Sequence, residues 1–528
     1  MFMHPWLSRS LRWWAKPILS GSQRNAARPR AGPTPASSRR LHRYIACLGL
    51  VNAACLLILT VASFGLTPVA PFGRVENREA ECFNRLAQHV GFLGEDVQAC
   101  LRGESILARK EIFLVVYGGP LLGLTATFVS LLVVLARHQH ELGPTVPTVL
   151  FRWAVLFGIL ALPASPVLVQ DFWLSAGWGR MVAAGQNPYH TDLTPEITDG
   201  LPLDYFGQRM TYGPLWAAVA GALMWAVGGS VIAAAAAFKL LLLAAWTAAL
   251  YLIRLLLRAS SIWAECIGLA IFGWLPLSVT QTVSDGHNDV LMVLFLLTWL
   301  YCLNRAWLAS ASVALAASVC VKYVTAPLFL LHFFYMLLFA KPRQTNCILQ
   351  AVAVLTVLTV SFGLFFRSPD FFASTTVMAD WHFLTPKSAM LELGDLTSLN
   401  LGLLATLAQI LFPVLAAWAA LRYVAVPTPS RFHIAVLAMM CGILFSVVGH
   451  VWPWFVLWPL SLAALVPDCA WARWVLGAAL AAPFAVLVLF LSPPGSPNRY
   501  TVPTLLLYGL TVGWFVLMPR RWLVVSSL

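Results

Sequence analysis

Apolar runs recur along this sequence at a length that leaves little choice of solvent. Residues 44–65, 112–136, 149–169, 231–257, 262–279, 290–303, 306–321, 324–340, 348–366, 396–420, 432–448, 451–466, 475–491 and 502–518 are each nearly free of charge. A membrane-spanning helix needs about 20 such residues. The pattern predicts an all-α, polytopic membrane bundle of about 14 transmembrane helices, with the short pieces between 290 and 321 short enough to be re-entrant. A membrane β-barrel would instead alternate polar and apolar residues in segments of about 10. With 60% hydrophobic and only 10% charged residues, the chain has too few polar side chains to coat a soluble fold.

Charge then sets the topology. The net charge of +13 could point to nucleic acid, but the basic residues fall in short patches between apolar runs, where topology explains them better. Residues 1–43 hold nine Lys or Arg and no acid, which predicts a disordered cytoplasmic tail rather than a cleaved signal peptide. One further apolar run, 215–227, is best left lying on the outer surface. With it outside the count, Arg254, Arg258, Arg305, Lys341, Arg343, Arg422, Arg431, Arg473, Arg520 and Arg521 all fall on the side of the basic tail. Both termini are then cytoplasmic, and three long loops, 74–111, 170–230 and 367–395, face the other side. Ten cysteines are scattered with no CxxC pair, so no metal framework is visible. Cys82 and Cys100 share one outer loop and are either a disulfide or two free thiols.

The unusual polar residues sit in those outer segments. Gln170, Asp171, Phe172 and Trp173 follow directly on an apolar run. Arg180, the turn Asn187-Pro188-Tyr189 and the step Tyr212-Gly213-Pro214-Leu215-Trp216 come after them. Further on, Ser284-Asp285-Gly286-His287-Asn288-Asp289 opens another run, Lys322 closes a small-residue helix, and His450-Val451-Trp452-Pro453-Trp454 opens a late one. The first group resembles the first large loop of the GT-C glycosyltransferases, polytopic enzymes that use lipid-phosphate-linked sugars. The second is similar to the GHND element of the bacterial polyprenol-phosphate-mannose-dependent mannosyltransferase branch.

The resemblance covers about 149–466 and implies a GT-C-like catalytic membrane core there. It is preceded by two additional helices with their loop at 44–148 and followed by C-terminal helices at 467–528. It implies transfer of a hexosyl unit, in this branch a mannosyl unit, with inversion, from a polyprenyl-phosphate-linked sugar to a glycan or lipid acceptor. The location it implies is a bacterial inner membrane with the active site facing the periplasm.

Chemistry gives these residue types work to do. Direct displacement of a polyprenyl phosphate by a hydroxyl needs a base for the acceptor proton, and Asp171 is the candidate. The leaving phosphate needs positive charge more than it needs an acid, which points to Arg180, Lys239 and Lys322 or to a divalent metal held by Asp171 and Asp289. Tyr189, Tyr212, His287, Asn288, Asp289 and His450 complete the expected substrate and donor-phosphate contacts.

Plainer roles compete with each of these. Asp171 can be a solvated interfacial residue, Asn288 and Asp289 can be helix caps, and Lys239 can snorkel to the interface. Trp173, Trp178, Trp216, Trp381, Trp452 and Trp454 read most simply as interfacial anchors. A transporter or flippase is the main rival, but it needs polar residues lining a path near the midplane. A non-catalytic scaffold would leave the ordered motifs unexplained.

Overall fold

In the computed structural model the described residues are 35–65, 114–166, 171–199, 201, 203, 207–228, 230–339, 344–373, 383–491 and 500–517. Among them the chain is an all-α membrane bundle of 18 α-helices without a strand. In order these are α1 (Pro35–Gly65), α2 (Gly119–Arg137), α3 (Val146–Ala161), α4 (Asp171–Ala183), α5 (Pro214–Val227), α6 (Val231–Leu257), α7 (Ile262–Gly273), α8 (Pro276–Val279) and α9 (Asp289–Asn304). There follow α10 (Leu308–Val321), α11 (Leu328–Phe339), α12 (Gln344–Gly363), α13 (Pro386–Thr397), α14 (Gly402–Ala425), α15 (Pro429–Gly442), α16 (Leu457–Ala463), α17 (Ala470–Leu491) and α18 (Thr501–Leu517).

Every one of the fourteen apolar runs contains a helix. Six helices among the described residues are long and apolar enough to cross a bilayer. The α7–α8 pair, bent by 55°, makes a seventh, and seven of the eight shorter apolar helices occupy the remaining runs. The eighth is α5, the run that charge sets aside.

Local chemistry places the ends. The Ser230 and Ser261 hydroxyls accept from the amides of Ala233 and Ala264 and so start α6 and α7. Gly228, with φ of +62°, stops α5 in the left-handed region that a Cβ disfavours. Thr385 and Ser388 form a reciprocal capping box that starts α13, a helix inside the loop at 367–395. Ser398 in a left-handed conformation ends it, which delays α14 to Gly402 although the apolar run begins at 396.

Helix α1 likewise departs from its apolar run. It begins at Pro35, so the last residues of the basic tail are helical; hydropathy marks where a helix is apolar, not where it starts. Cys82 and Cys100 lie outside the described residues, as does Trp381.

Two ends of the bundle differ in character. At the C-terminal end of α6, Arg254 donates to Glu265 at 2.8 Å and to Thr148 at 2.8 Å, a packed ionic clasp. Lys239, 15 residues and about 22 Å earlier on the same helix, lies at the other end, beside the segments that carry the motifs. Helices α9 and α10 form a hairpin through Ala306 (φ +56°), with Ser318 Oγ donating to the Met292 carbonyl at 3.1 Å. The start of α9 and the end of α10 therefore meet at the motif end.

The tryptophans depart from the anchor expectation. Trp173, Trp178, Trp216 and Trp454 are all buried within the protein, and Trp452 is half-buried. Trp178 donates to the Gln208 carbonyl and Trp216 to the Ser175 hydroxyl, so these indoles find partners in the loop and its neighbouring helices rather than at a lipid surface.

Candidate active site

Asp171 is the first residue of α4, and the segment that brings Tyr212 to it is tightly held. Helices α4 and α5 pack backbone to backbone: a Cβ on Gly179 would lie 2.6 Å from the Ala220 carbonyl oxygen. Just before α5, the Gly213 amide donates to the Val321 carbonyl at 2.9 Å, and a Cβ there would lie 2.1 Å from the Cys320 oxygen. This close approach fixes Tyr212 beside Lys322. The Tyr212 hydroxyl donates to Asp171 Oδ2 at 3.0 Å. Tyr189 and Tyr323 donate to the Tyr212 carbonyl at 2.8 and 3.4 Å, so the Asn-Pro-Tyr turn acts on the site by holding Tyr212.

The second motif arrives through a π-helical turn at Thr280–Ser284, a geometry that inserts an extra residue into a helix and often marks functional positions. It delivers Gly286 at φ +75° against Phe172, whose ring carbon would lie 2.3 Å from an added Cβ. Both the backbone conformation and the contact require glycine. A Gly286→Ala substitution is expected to push Phe172 and hence Asp171 away from His287. The expected result is a loss of at least roughly 100-fold in turnover, as for other angstrom-scale displacements of reacting groups, measured beside a thermal unfolding curve.

Beyond Gly286 the residues converge. His287 Nδ1 lies 3.9 Å from Asp171 Oδ2, longer than a hydrogen bond. The His287 ring stacks on Trp454 with centroids 4.0 Å apart and planes at 12°. Asp289, fully buried, accepts at Oδ1 from Lys322 Nζ at 2.7 Å and from Trp458 Nε1. Lys322 Nζ also lies 4.4, 5.0 and 5.2 Å from the ring centroids of Phe455, Trp458 and Tyr212, within cation–π range.

Asp171, Tyr212, His287, Asp289 and Lys322 thus form one cluster at converging helix ends. Asn288 occupies the N-cap position of α9 but makes no capping bond, so the plain capping role is not realised.

Other expected residues lie further off or are otherwise engaged. The Arg180 guanidinium donates to the carbonyls of Ile197 and Asp199 at 3.2 and 2.7 Å and braces the loop after α4. Lys239 is buried, and its ammonium donates to the carbonyl of Ala164 and, at 2.7 Å, to that of Ser284. It pins the approach to Asp171 and the second motif together. A buried ammonium that finds two carbonyls does not snorkel. His450 pairs with Phe383 in an isolated bridge, its ring stacked at 5.2 Å, and packs on Phe455, one ring removed from Lys322.

Sequence reasoning missed Tyr323, Phe455 and Trp458. For Phe455 and Trp458 the available signal is the aromatic repetition at 452, 454, 455 and 458, and for Tyr323 its place next to Lys322. Among the described residues no three His, Cys, Asp or Glu side chains gather as metal ligands. The positive charge beside the two carboxylates is that of Lys322.

The electrostatics suit proton transfer at Asp171. Burial raises its pKa from 3.8 to about 6, against the lowering effects of the Tyr212 hydrogen bond and of Lys322; the charge on Asp289 adds to the rise. Its side chain nevertheless keeps 28% exposure, so a ligand can reach it. Burial, and then Lys322, push His287 well below its ordinary value, so it is neutral. The phenol of Tyr212 is held well above 10, first by burial and then by Asp171, and remains a donor.

Residues 88–340 match the model of the MptA_B family, described as alpha-(1->6)-mannopyranosyltransferase, N-terminal domain. That stretch contains Asp171, Tyr212, the second motif and Lys322, and it begins early enough to include α2. No curated protein matches the chain.

Proposed function

We propose that this integral membrane protein, which carries the N-terminal domain of a mannosyltransferase family over residues 88–340, transfers a mannosyl unit from a polyprenyl-phosphate-linked donor. The acceptor is a hydroxyl of a glycan or lipid on the non-cytoplasmic face. The observation that carries this reading is the convergence of Asp171, Tyr212, Asp289 and Lys322 at one end of the bundle. The distribution of basic residues between the apolar runs supports a location opposite the basic tail, in a bacterial cell the periplasmic side. A lipid donor suits the architecture, because its tail stays in the bilayer while its sugar reaches helix ends at the boundary.

In this reading the acceptor oxygen attacks the anomeric carbon as Asp171 takes the hydroxyl proton. The bond from the anomeric carbon to the phosphate oxygen breaks, and polyprenyl phosphate leaves with the electron pair. Lys322 supplies the nearest positive charge to the leaving phosphate, with Asp289 holding the ammonium in place. One displacement inverts the anomeric centre. Arg180 and Lys239, engaged with carbonyls, hold segments of the site in position.

Incubating the purified protein with labelled polyprenyl-phosphate sugars and membrane extract tests the reading. Label from the mannosyl donor is expected in a glycan or lipid product. Absence of transfer from every donor, alongside vectorial movement of a solute, would favour a transporter instead.

The pH profile gives a second test. Only the ionised Asp171 accepts a proton, so activity is expected to fall as pH drops through about 6. Tyr212→Phe removes a bond that lowers this pKa, so the acid limb should move to higher pH. An unmoved limb would mean that Asp171 is not the group being titrated.

A further inference from the structure

The polar atoms that the cluster leaves without protein partners lie on two facing strips. His287 Nε2, both Nδ2 and Oδ1 of Asn288, Asp289 Oδ2 and Trp454 Nε1 are buried and meet no hydrogen-bond partner among the described residues. Their residues are 1%, 3%, 0% and 3% exposed, in that order. Buried polar groups in folded proteins are normally satisfied, because an unmade bond forfeits the hydration that burial removed. Five unsatisfied atoms within three consecutive residues and one facing ring are more than packing accounts for.

The two strips are held in register. His287 stacks on Trp454 while Asp289 accepts from Trp458, so residues two apart on one strip meet residues one helical turn apart on the other. Asn288 lies between, its amide free because it does not cap α9.

The chemistry of these atoms selects a ligand class. The Asn288 amide offers a donor and an acceptor at fixed spacing, Asp289 Oδ2 accepts, Trp454 Nε1 donates, and neutral His287 contributes one role at Nε2. Adjacent hydroxyls of a pyranose ring each donate and accept, and match such a mixed set. A phosphate offers only acceptors, so it would leave the acceptors Asn288 Oδ1 and Asp289 Oδ2 unmatched.

We propose that His287 Nε2, the Asn288 amide, Asp289 Oδ2 and Trp454 Nε1 form a pyranose subsite that reads ring hydroxyls beside Asp171, with Asn288 and Trp454 as specificity-determining residues. The inference rests on the glycosyl-transfer reading and adds to it the groups that recognise the sugar. The sugar so held is either that of the donor lipid or that of the acceptor.

Binding to the purified full chain separates these. The probes are polyprenyl-phosphate mannose, polyprenyl phosphate without sugar, and a soluble mannoside. The variants are Trp454→Phe, which keeps a ring against His287 but removes the indole N–H, and Asn288→Ala, with thermal unfolding as a control on folding. Both variants are expected to weaken one mannose-containing probe at least tenfold while binding bare polyprenyl phosphate as the wild type does. Loss confined to the lipid-linked sugar assigns a donor subsite, and loss confined to the mannoside an acceptor subsite. Unchanged binding of both sugars, or an equal loss of the bare phosphate, would overturn the subsite while leaving the transfer reading intact. A wild type that binds no mannose-containing probe would overturn both.

Discussion

Replacing Asp171 by Asn is expected to lower sugar transfer by roughly 100- to 10,000-fold, the range that a positioned general base contributes, while the chain still folds and inserts. The amide keeps an oxygen for the Tyr212 hydroxyl at its present 3.0 Å position but cannot take a proton. Stability should not fall at neutral pH. The pKa of Asp171 is raised on folding, so the stability linked to its protonated form is present below the unfolded value and is lost as pH rises through about 6. A neutral amide escapes that loss. Turnover and thermal unfolding measured on the same preparation check the prediction, and a fully active variant would remove Asp171 as the base.

Lys322 should show a different pattern. Its ammonium pairs with the fully buried Asp289 at 2.7 Å and lies against three aromatic rings. Lys322→Met leaves a buried carboxylate without its cation, a change that typically costs about 3–5 kcal/mol. Both stability and transfer are expected to collapse. Adding Asp289→Asn removes the stranded charge while keeping an acceptor for Trp458, so the double variant should regain most of the stability. It should remain inactive, because the positive charge beside the leaving phosphate is still missing. Recovery of activity together with stability would assign Lys322 a purely structural role.

Much of this was legible in the sequence because the fold is written in hydropathy and charge. All fourteen apolar runs contain helices, and α5, set aside on charge alone, packs on α4 as part of the site scaffold. The pairing of Asp289 with Lys322 follows from two consecutive helices of similar length joined by a tight turn, which brings the start of one to the end of the next.

What stayed hidden depends on paths the sequence does not display. Lys239 and Arg180 carry the charges expected of phosphate ligands, yet backbone carbonyls reach them first, and the availability of a carbonyl is decided by how the chain turns. Trp458 and Phe455 meet the site from more than 130 residues away, with only a run of aromatics to announce them. The burial of the indoles does not show in the sequence, because a tryptophan that donates to a loop carbonyl looks there like one that faces headgroups.

A single displacement on a lipid-phosphate sugar, with Asp171 as base, fixes the stereochemistry of the product. The purified protein would be given polyprenyl-phosphate β-mannose labelled with carbon-13 at the anomeric centre, and a mannoside acceptor. The one-bond carbon–proton coupling of the product reports its anomeric configuration. An α-linked product is expected from the wild type, and the same product at a correspondingly lower yield from Asp171→Asn; a β-linked product, which requires two successive displacements, would overturn the single displacement.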